Sequence, residues 1–126
     1  MDVPDTRVVS VVDDDDSMRR SVRSLLSSLG FCVETFESAE AFIQSRSRHN
    51  TGCLVLDLRM PGMNGEELLV HLANAGTRIP TVILSAHGDA LMRERLRPLG
   101  VLAVLGKPFH SELLLAAVRT AIGRTP

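Results

Sequence analysis

The chain has 126 residues, 44% of them apolar, which is enough for one compact domain with a real core. Its formal net charge is −1, so the charge balance does not point to a polyanion partner such as DNA. No stretch is long and apolar enough to cross a bilayer, and Met1-Asp2-Val3-Pro4-Asp5 lacks the basic-then-apolar order of a signal peptide. A cytoplasmic protein without a membrane anchor is therefore expected.

Five short apolar runs alternate with helical patterns. The first run is Val8-Val9-Ser10-Val11-Val12, followed by four consecutive aspartates, Asp13 to Asp16. Met18, Val22, Leu25, Leu26 and Leu29 then fall at helical spacing, and Gly30 stops that helix. The second run, Cys32 to Phe36, contains Glu34 and Thr35 and reads as an edge strand. Ser38 can cap a helix carrying Ala41, Phe42 and Ile43. Cys53-Leu54-Val55-Leu56 forms the third run and leads into Asp57; a helix over residues 66–74 follows, with Gly76 after it. Thr81 to Leu84 is the fourth run and leads into Ser85. The next helix spans residues 90–99, and Pro98 should end or kink it, because proline costs about 3 kcal/mol in a helix interior. Val101 to Leu105 is the last run, then Lys107-Pro108, then a helix that Ser111 can cap, with Leu114, Leu115, Val118 and Ala121 facing inward. Apart from the second, the runs lack period-2 alternation, as in strands covered on both faces. Cys32 and Cys53 read as small buried hydrophobes rather than a disulfide.

Five strands alternating with five helices imply an α/β fold, a doubly wound parallel sheet with helices on both faces. In such a sheet the ligand crevice lies at the carboxyl ends of the strands. There the sequence places Asp13 and Asp14, Asp57, Ser85 and Lys107. Lys107 is the single lysine beside thirteen arginines, and a lysine is a compact point charge where arginine is a wide fork. Clustered carboxylates persist only if something offsets them, and hard oxygen ligands suit Mg²⁺ or Mn²⁺. A carboxylate can also act as a nucleophile and form an aspartyl phosphate, with a metal and a lysine neutralising the phosphoryl oxygens. No glycine-rich phosphate loop follows the first strand, so a small phosphoryl group fits better than a nucleotide.

Val12-Asp13-Asp14, the block from Leu56 to Gly65 (LDLRMPGMNG), Leu84-Ser85-Ala86-His87-Gly88-Asp89 and Lys107-Pro108-Phe109 resemble the four signatures of CheY-like response regulator receiver domains. The DLRMPGMNG and HGD blocks are similar to those of FixJ-type regulators. The resemblance covers roughly residues 7–122 and implies one receiver domain over 1–126, with a flavodoxin-like five-stranded sheet of order 2-1-3-4-5. It implies that Asp57 accepts a phosphoryl group, with Asp13, Asp14 and the backbone carbonyl of Arg59 completing the metal ligands. Ser85 would bond the phosphoryl group, Lys107 would pair with it, and the Lys107–Pro108 peptide bond would be cis. Ala86 and His87 stand where the family tunes phosphate lifetime, and the small Ala86 should leave water fairly free access. A histidine kinase partner, homodimerisation on phosphorylation and a DNA-binding output domain in a longer parent are implied as well. The family's usual aromatic in the fifth strand is replaced by Val104, or less fittingly Leu105, so its inward rotation cannot read out the switch.

Taken singly, these residues have plainer explanations. Asp15 and Asp16 suit a helix N-terminus, and His49, His71, His87 and His110 carry no ligand signal. Arg93, Arg95 and Arg97 fall on alternate helix positions and form no stripe. A dehalogenase-type phosphatase also combines an aspartate nucleophile, Mg²⁺ and lysine, but places a second aspartate two residues after the first, where this chain has Arg59. A receiver fold that docks partners without phosphorylation is the third reading, and the intact acidic and lysine positions weigh against it.

Overall fold

The computed structural model describes residues 7–86 and 90–124. The strands are β1 (Val8–Val12), β2 (Val33–Phe36), β3 (Thr51–Asp57), β4 (Thr81–Leu84) and β5 (Val101–Leu105). The helices are α1 (Asp16–Ser28), α2 (Ala39–Gln44), α3 (Gly65–Asn74), α4 (Ala90–Leu96) and α5 (Ser111–Arg124). All strand pairs are parallel and their order is β2-β1-β3-β4-β5, as the resemblance implies.

The unbroken apolar runs divide by parity, because successive strand residues point to opposite faces. Val12, Leu54, Leu56 and Ile83 join one core, which also takes in Phe42 of α2, Leu68, Leu69 and Leu72 of α3 and Leu96 of α4. Val9, Val11, Cys53, Val55, Val82 and Leu84 join the other, closed by Val22 and Leu26 of α1 and by Leu114, Val118 and Ala121 of α5. Full burial of each large side chain is worth about 1.5–3 kcal/mol. One polar pair crosses this apolar sheet: the buried hydroxyls of Ser10 and Thr51 lie 2.7 Å apart, and Thr51 Oγ1 also donates to the Ser47 carbonyl.

The helix boundaries follow local chemistry. Asp15 is the N-cap of α1, its side chain accepting from the backbone of Ser17 and Met18; Ser38 caps α2 by accepting from Ala41. Gly30 takes φ +93° just past α1, and the Phe31 N–H returns to the Leu26 carbonyl, a stop that a side chain would strain. As the sequence suggests, Pro98 cuts α4 short: the helix ends at Leu96, and residues Arg97–Leu99 tighten into a 3-10 turn.

Several expectations need correction. Ser111 is the first residue of α5 rather than its cap. The fifth strand, the sheet edge that the expected order implies, is only partly buried after Val101 instead of covered along its length. Cys32 is exposed, since it precedes β2 instead of lying within it, while Cys53 is fully buried.

The two thiols should consequently differ in reactivity. Burial pushes the Cys53 thiol up to about 12, and the thiolate is the reactive form. A disulfide-exchange dye such as Ellman's reagent should titrate one thiol, Cys32, in native protein, and two in denaturant. Two fast equivalents under native conditions would contradict the buried placement of Cys53.

Candidate functional site

The sheet brings its carboxyl-end residues into one crevice. Val12 pairs in register with Leu56, and Asp57 with Leu84, so the residues that end β1, β3 and β4 stand side by side. Asp57 is itself the last residue of β3, one position earlier than a loop acid would be. One carboxylate oxygen from each of Asp13, Asp14 and Asp57 lies within 4.8 Å of the others. Asp13 and Asp57 are buried, at 3% and 7% exposure, whereas Asp14 faces solvent. Lys107 reaches in from beyond β5, its Nζ 3.1 Å from Asp13 Oδ2 and 3.5 Å from Asp57 Oδ1. The Lys107–Pro108 bond is cis.

The two buried acids are each fixed by their own loop. Asp13 Oδ1 accepts from the Asp15 N–H at 2.9 Å, which turns the chain into α1. The Arg19 guanidinium, largely buried, donates to the Asp13 carbonyl at 2.7 Å and to Asp16 at 3.1 Å. Asp57 Oδ1 accepts from the Arg59 N–H at 3.2 Å. The loop after Asp57 closes where the Gly65 N–H meets the Leu58 carbonyl at 3.0 Å. A Cβ on Gly65 would stand 2.5 Å from the Asp57 carbonyl oxygen, so only glycine permits this closure. Asn64 and Glu67 then start α3 with a reciprocal capping box. Glu40 of α2 reaches the same loop from outside, its Oε2 accepting from the Met63 N–H at 3.1 Å. That bond holds the exposed Glu40 carboxyl below its usual range.

The structure thus gathers Asp13, Asp14, Asp57 and Lys107. Ser85 is buried at the end of β4, next to Asp57 by register, and its N–H bonds the Leu105 carbonyl at 2.9 Å. Arg59 has an exposed side chain and meets the cluster through its N–H. Ala86 is exposed at the rim, and His87 lies outside the described residues. Val104 is partly buried against the core shared with α2, α3 and α4. Arg19 and Glu40 are the residues that sequence reasoning missed. The first could have been suspected from its helical spacing to Asp16, but nothing local ties Glu40 to a loop more than twenty positions away.

Charge governs the chemistry of this crevice. Burial pushes the Asp57 carboxyl up, the Arg59 N–H pulls it down, Asp13 pushes it up again, Lys107 opposes, and Asp14 adds a smaller push; the net direction is upward. Burial alone would favour a neutral Lys107, but the hydrogen bond and charge of Asp13 and then those of Asp57 outweigh it, raising the lysine above its ordinary value. Three clustered carboxylate oxygens are hard donors matched to a small divalent cation, so the residues present fit a Mg²⁺-type ion.

A parallel sheet of this order, with clustered acids and a lysine at its carboxyl edge, defines the class of signalling receiver domains. Comparison with known sequences agrees: residues 9–119 match the response regulator receiver domain family. The chain belongs to that family and is a receiver domain of a two-component response regulator. It is 38% identical over 123 residues to the transcriptional regulatory protein FixJ of Azorhizobium caulinodans, covering 98% of this chain and 58% of that protein. It is 42% identical over 117 residues to nodulation protein W of Bradyrhizobium diazoefficiens, covering 93% of this chain and 52% of that protein. Among solved structures, the response regulator StyR superposes with a TM-score of 0.87 at 44% identity, covering 94% of this chain and 60% of that one. FixJ-N superposes with a TM-score of 0.82 at 34% identity, covering 98% and 97%. The chain spans about half the length of the curated relatives it matches.

The raised Asp57 has a measurable consequence. Because its folded-state pKa lies above the unfolded one, the ionised carboxylate destabilises the fold above that raised pKa. The cost shrinks as pH falls through the raised pKa and is gone below the ordinary carboxylate value of about 3.9, where both states are protonated. In chelator, Asp57→Asn should therefore melt at a higher temperature than wild type at pH 7, with the gap closing toward pH 4. Thermal melting across that range checks it, and a gap that is constant with pH would show that charge is not its origin.

Proposed function

We propose that this domain is a phosphorylation switch in which a histidine kinase donates a phosphoryl group to Asp57. The observation that carries the reading is the cluster itself: three carboxylates within 4.8 Å, with Lys107 Nζ 3.5 Å from Asp57. An Asp57 carboxylate oxygen attacks phosphorus, an O–P bond forms as the P–N bond to the donor imidazole breaks, and the imidazole keeps the electron pair and takes up a proton. Asp13, Asp14, Asp57 and the Arg59 carbonyl would hold Mg²⁺ or Mn²⁺, which supplies neutralisation of the phosphoryl oxygens. Lys107 lies against the same carboxylates and offers the second positive charge. Ser85, one register step from Asp57, would donate its hydroxyl to a phosphoryl oxygen. The exposed Ala86 presents no bulk to shield the acyl phosphate from water.

The domain boundaries proposed are residues 1–126, as one receiver unit. The names of the relatives and their greater length support a longer parent with a DNA-binding output domain; cytoplasmic action and pairing as a homodimer on phosphorylation are part of the same proposal and rest on the family resemblance. Among the described residues no helix is long and apolar enough to cross a membrane.

Four measurements test the switch. Acetyl phosphate with Mg²⁺ should add one phosphoryl group to wild type by intact-mass spectrometry and none to Asp57→Asn. Lys107→Arg should fail to restore the response, because a planar fork does not replace a point charge in this crevice. If the Mg²⁺ dissociation constant is near 1 mM, 10 mM metal should stabilise the fold by about 1.4 kcal/mol, a rise of roughly 5 °C at matched ionic strength. Equal uptake by Asp57→Asn would sink the assignment.

The fourth concerns readout through α4, β5 and α5. With Val104 where the family carries a ring, the change must be carried by Ser85, the segment after it and the shortened α4. Amide chemical-shift changes on phosphorylation should concentrate at residues 85–98. A response confined to β3 and its following loop would refute this.

A further inference from the structure

The loop after Asp57 is held at its neck by the Gly65 N–H on the Leu58 carbonyl, at its start by the Arg59 N–H on Asp57, and at its end by the Asn64–Glu67 box. These fixings are local to residues 57–67. The contact at the loop's apex comes from a different helix: Glu40, in the first turn of α2, accepts from Met63 at 3.1 Å. Gly62 beside it takes φ +74°, and a Cβ there would lie 2.8 Å from Glu40 Oε2. The carboxylate thus sits directly against the loop backbone, on a site where a side chain would block it. The Met60 side chain is buried in the core, so the loop is anchored at Met60 as well as at Met63.

We infer that Glu40 is a positioning residue for the metal site: it latches the Met60–Asn64 loop so that the Arg59 backbone is preset for the cation that Asp13, Asp14 and Asp57 would hold. This rests on the proposed phosphorylation reading. Preorganisation matters because a ligand held in place before binding need not be ordered by the ion. A hydrogen bond of about 1 kcal/mol corresponds to roughly a fivefold change in affinity. The latch works through an acceptor atom rather than a charge, so an amide oxygen at the same place should substitute.

The test compares wild type, Glu40→Gln and Glu40→Ala in Mg²⁺ titrations followed by ¹H–¹⁵N spectra, with the metal alone as probe. Glu40→Ala should bind Mg²⁺ roughly fivefold more weakly, with the Met63 amide resonance shifted in the metal-free protein. Glu40→Gln should stay close to wild type in both, and the fold should remain intact in each, as the unshifted amides of β1 and β4 would report. Affinity in Glu40→Ala equal to wild type would overturn the inference, as would Glu40→Gln falling as far as Glu40→Ala, which would make the effect one of charge. Absence of any Mg²⁺ response in wild type would instead remove the metal site, and with it both this inference and the reading beneath it. Normal wild-type binding with insensitive Glu40 variants leaves the phosphorylation reading standing and removes the latch alone.

Discussion

Two buried carboxylates and a third at the rim are forced together by the ends of the strands that carry them, and a single ammonium stands between the buried pair. The Lys107 contacts to Asp13 and Asp57, at 3.1 and 3.5 Å, are where the rest of the molecule converges. Like charges at this spacing repel, and the lysine offsets only part of that cost. The remainder is borne by two apolar cores, one on each face of the sheet. Excess negative charge in a rigid crevice is what a divalent cation and a phosphoryl group together would relieve, so stability and proposed function draw on the same imbalance.

The loops around the crevice show how rigidity is achieved with little material. Asp13 is held through both its side chain and its carbonyl, by Asp15 and Arg19. Asp57 ends a strand buried along its whole length and is followed by a loop whose closure depends on Gly65. Such fixing keeps the acids from swinging apart into solvent, which is the easiest escape from repulsion.

Much of this was legible in the residues. Alternating apolar runs and helical spacings located the elements to within a few positions, since both periodicities are local. The strand-end rule then singled out Asp13, Asp14, Asp57, Ser85 and Lys107 before any coordinates, although strand order itself came from the family resemblance. What local patterns cannot convey is neighbourhood. An all-apolar run such as Val101–Leu105 looks fully covered, yet β5 is an edge, because coverage depends on which strands flank it. Cys32 belongs to an apolar run but sits just outside the strand, exposed. Glu40 contacts Met63 only because α2 and the β3–α3 loop are brought together by tertiary packing.

The buried hydroxyl pair of Ser10 and Thr51 acquires a meaning beyond its own hydrogen bond. In a sheet greasy on both sides, sliding a strand by one residue exchanges one apolar face for another, and hydrophobicity resists it only weakly. The same slide would carry a strand-end carboxylate about 3.3 Å along the sheet, as far as the whole separation between Lys107 and its partners. The Ser10–Thr51 contact would be lost in such a slide, and a buried hydroxyl deprived of its partner carries a cost that the oily residues do not. The Ser10–Thr51 contact thus ties together the same two strands, β1 and β3, whose carboxyl ends present Asp13 and Asp57.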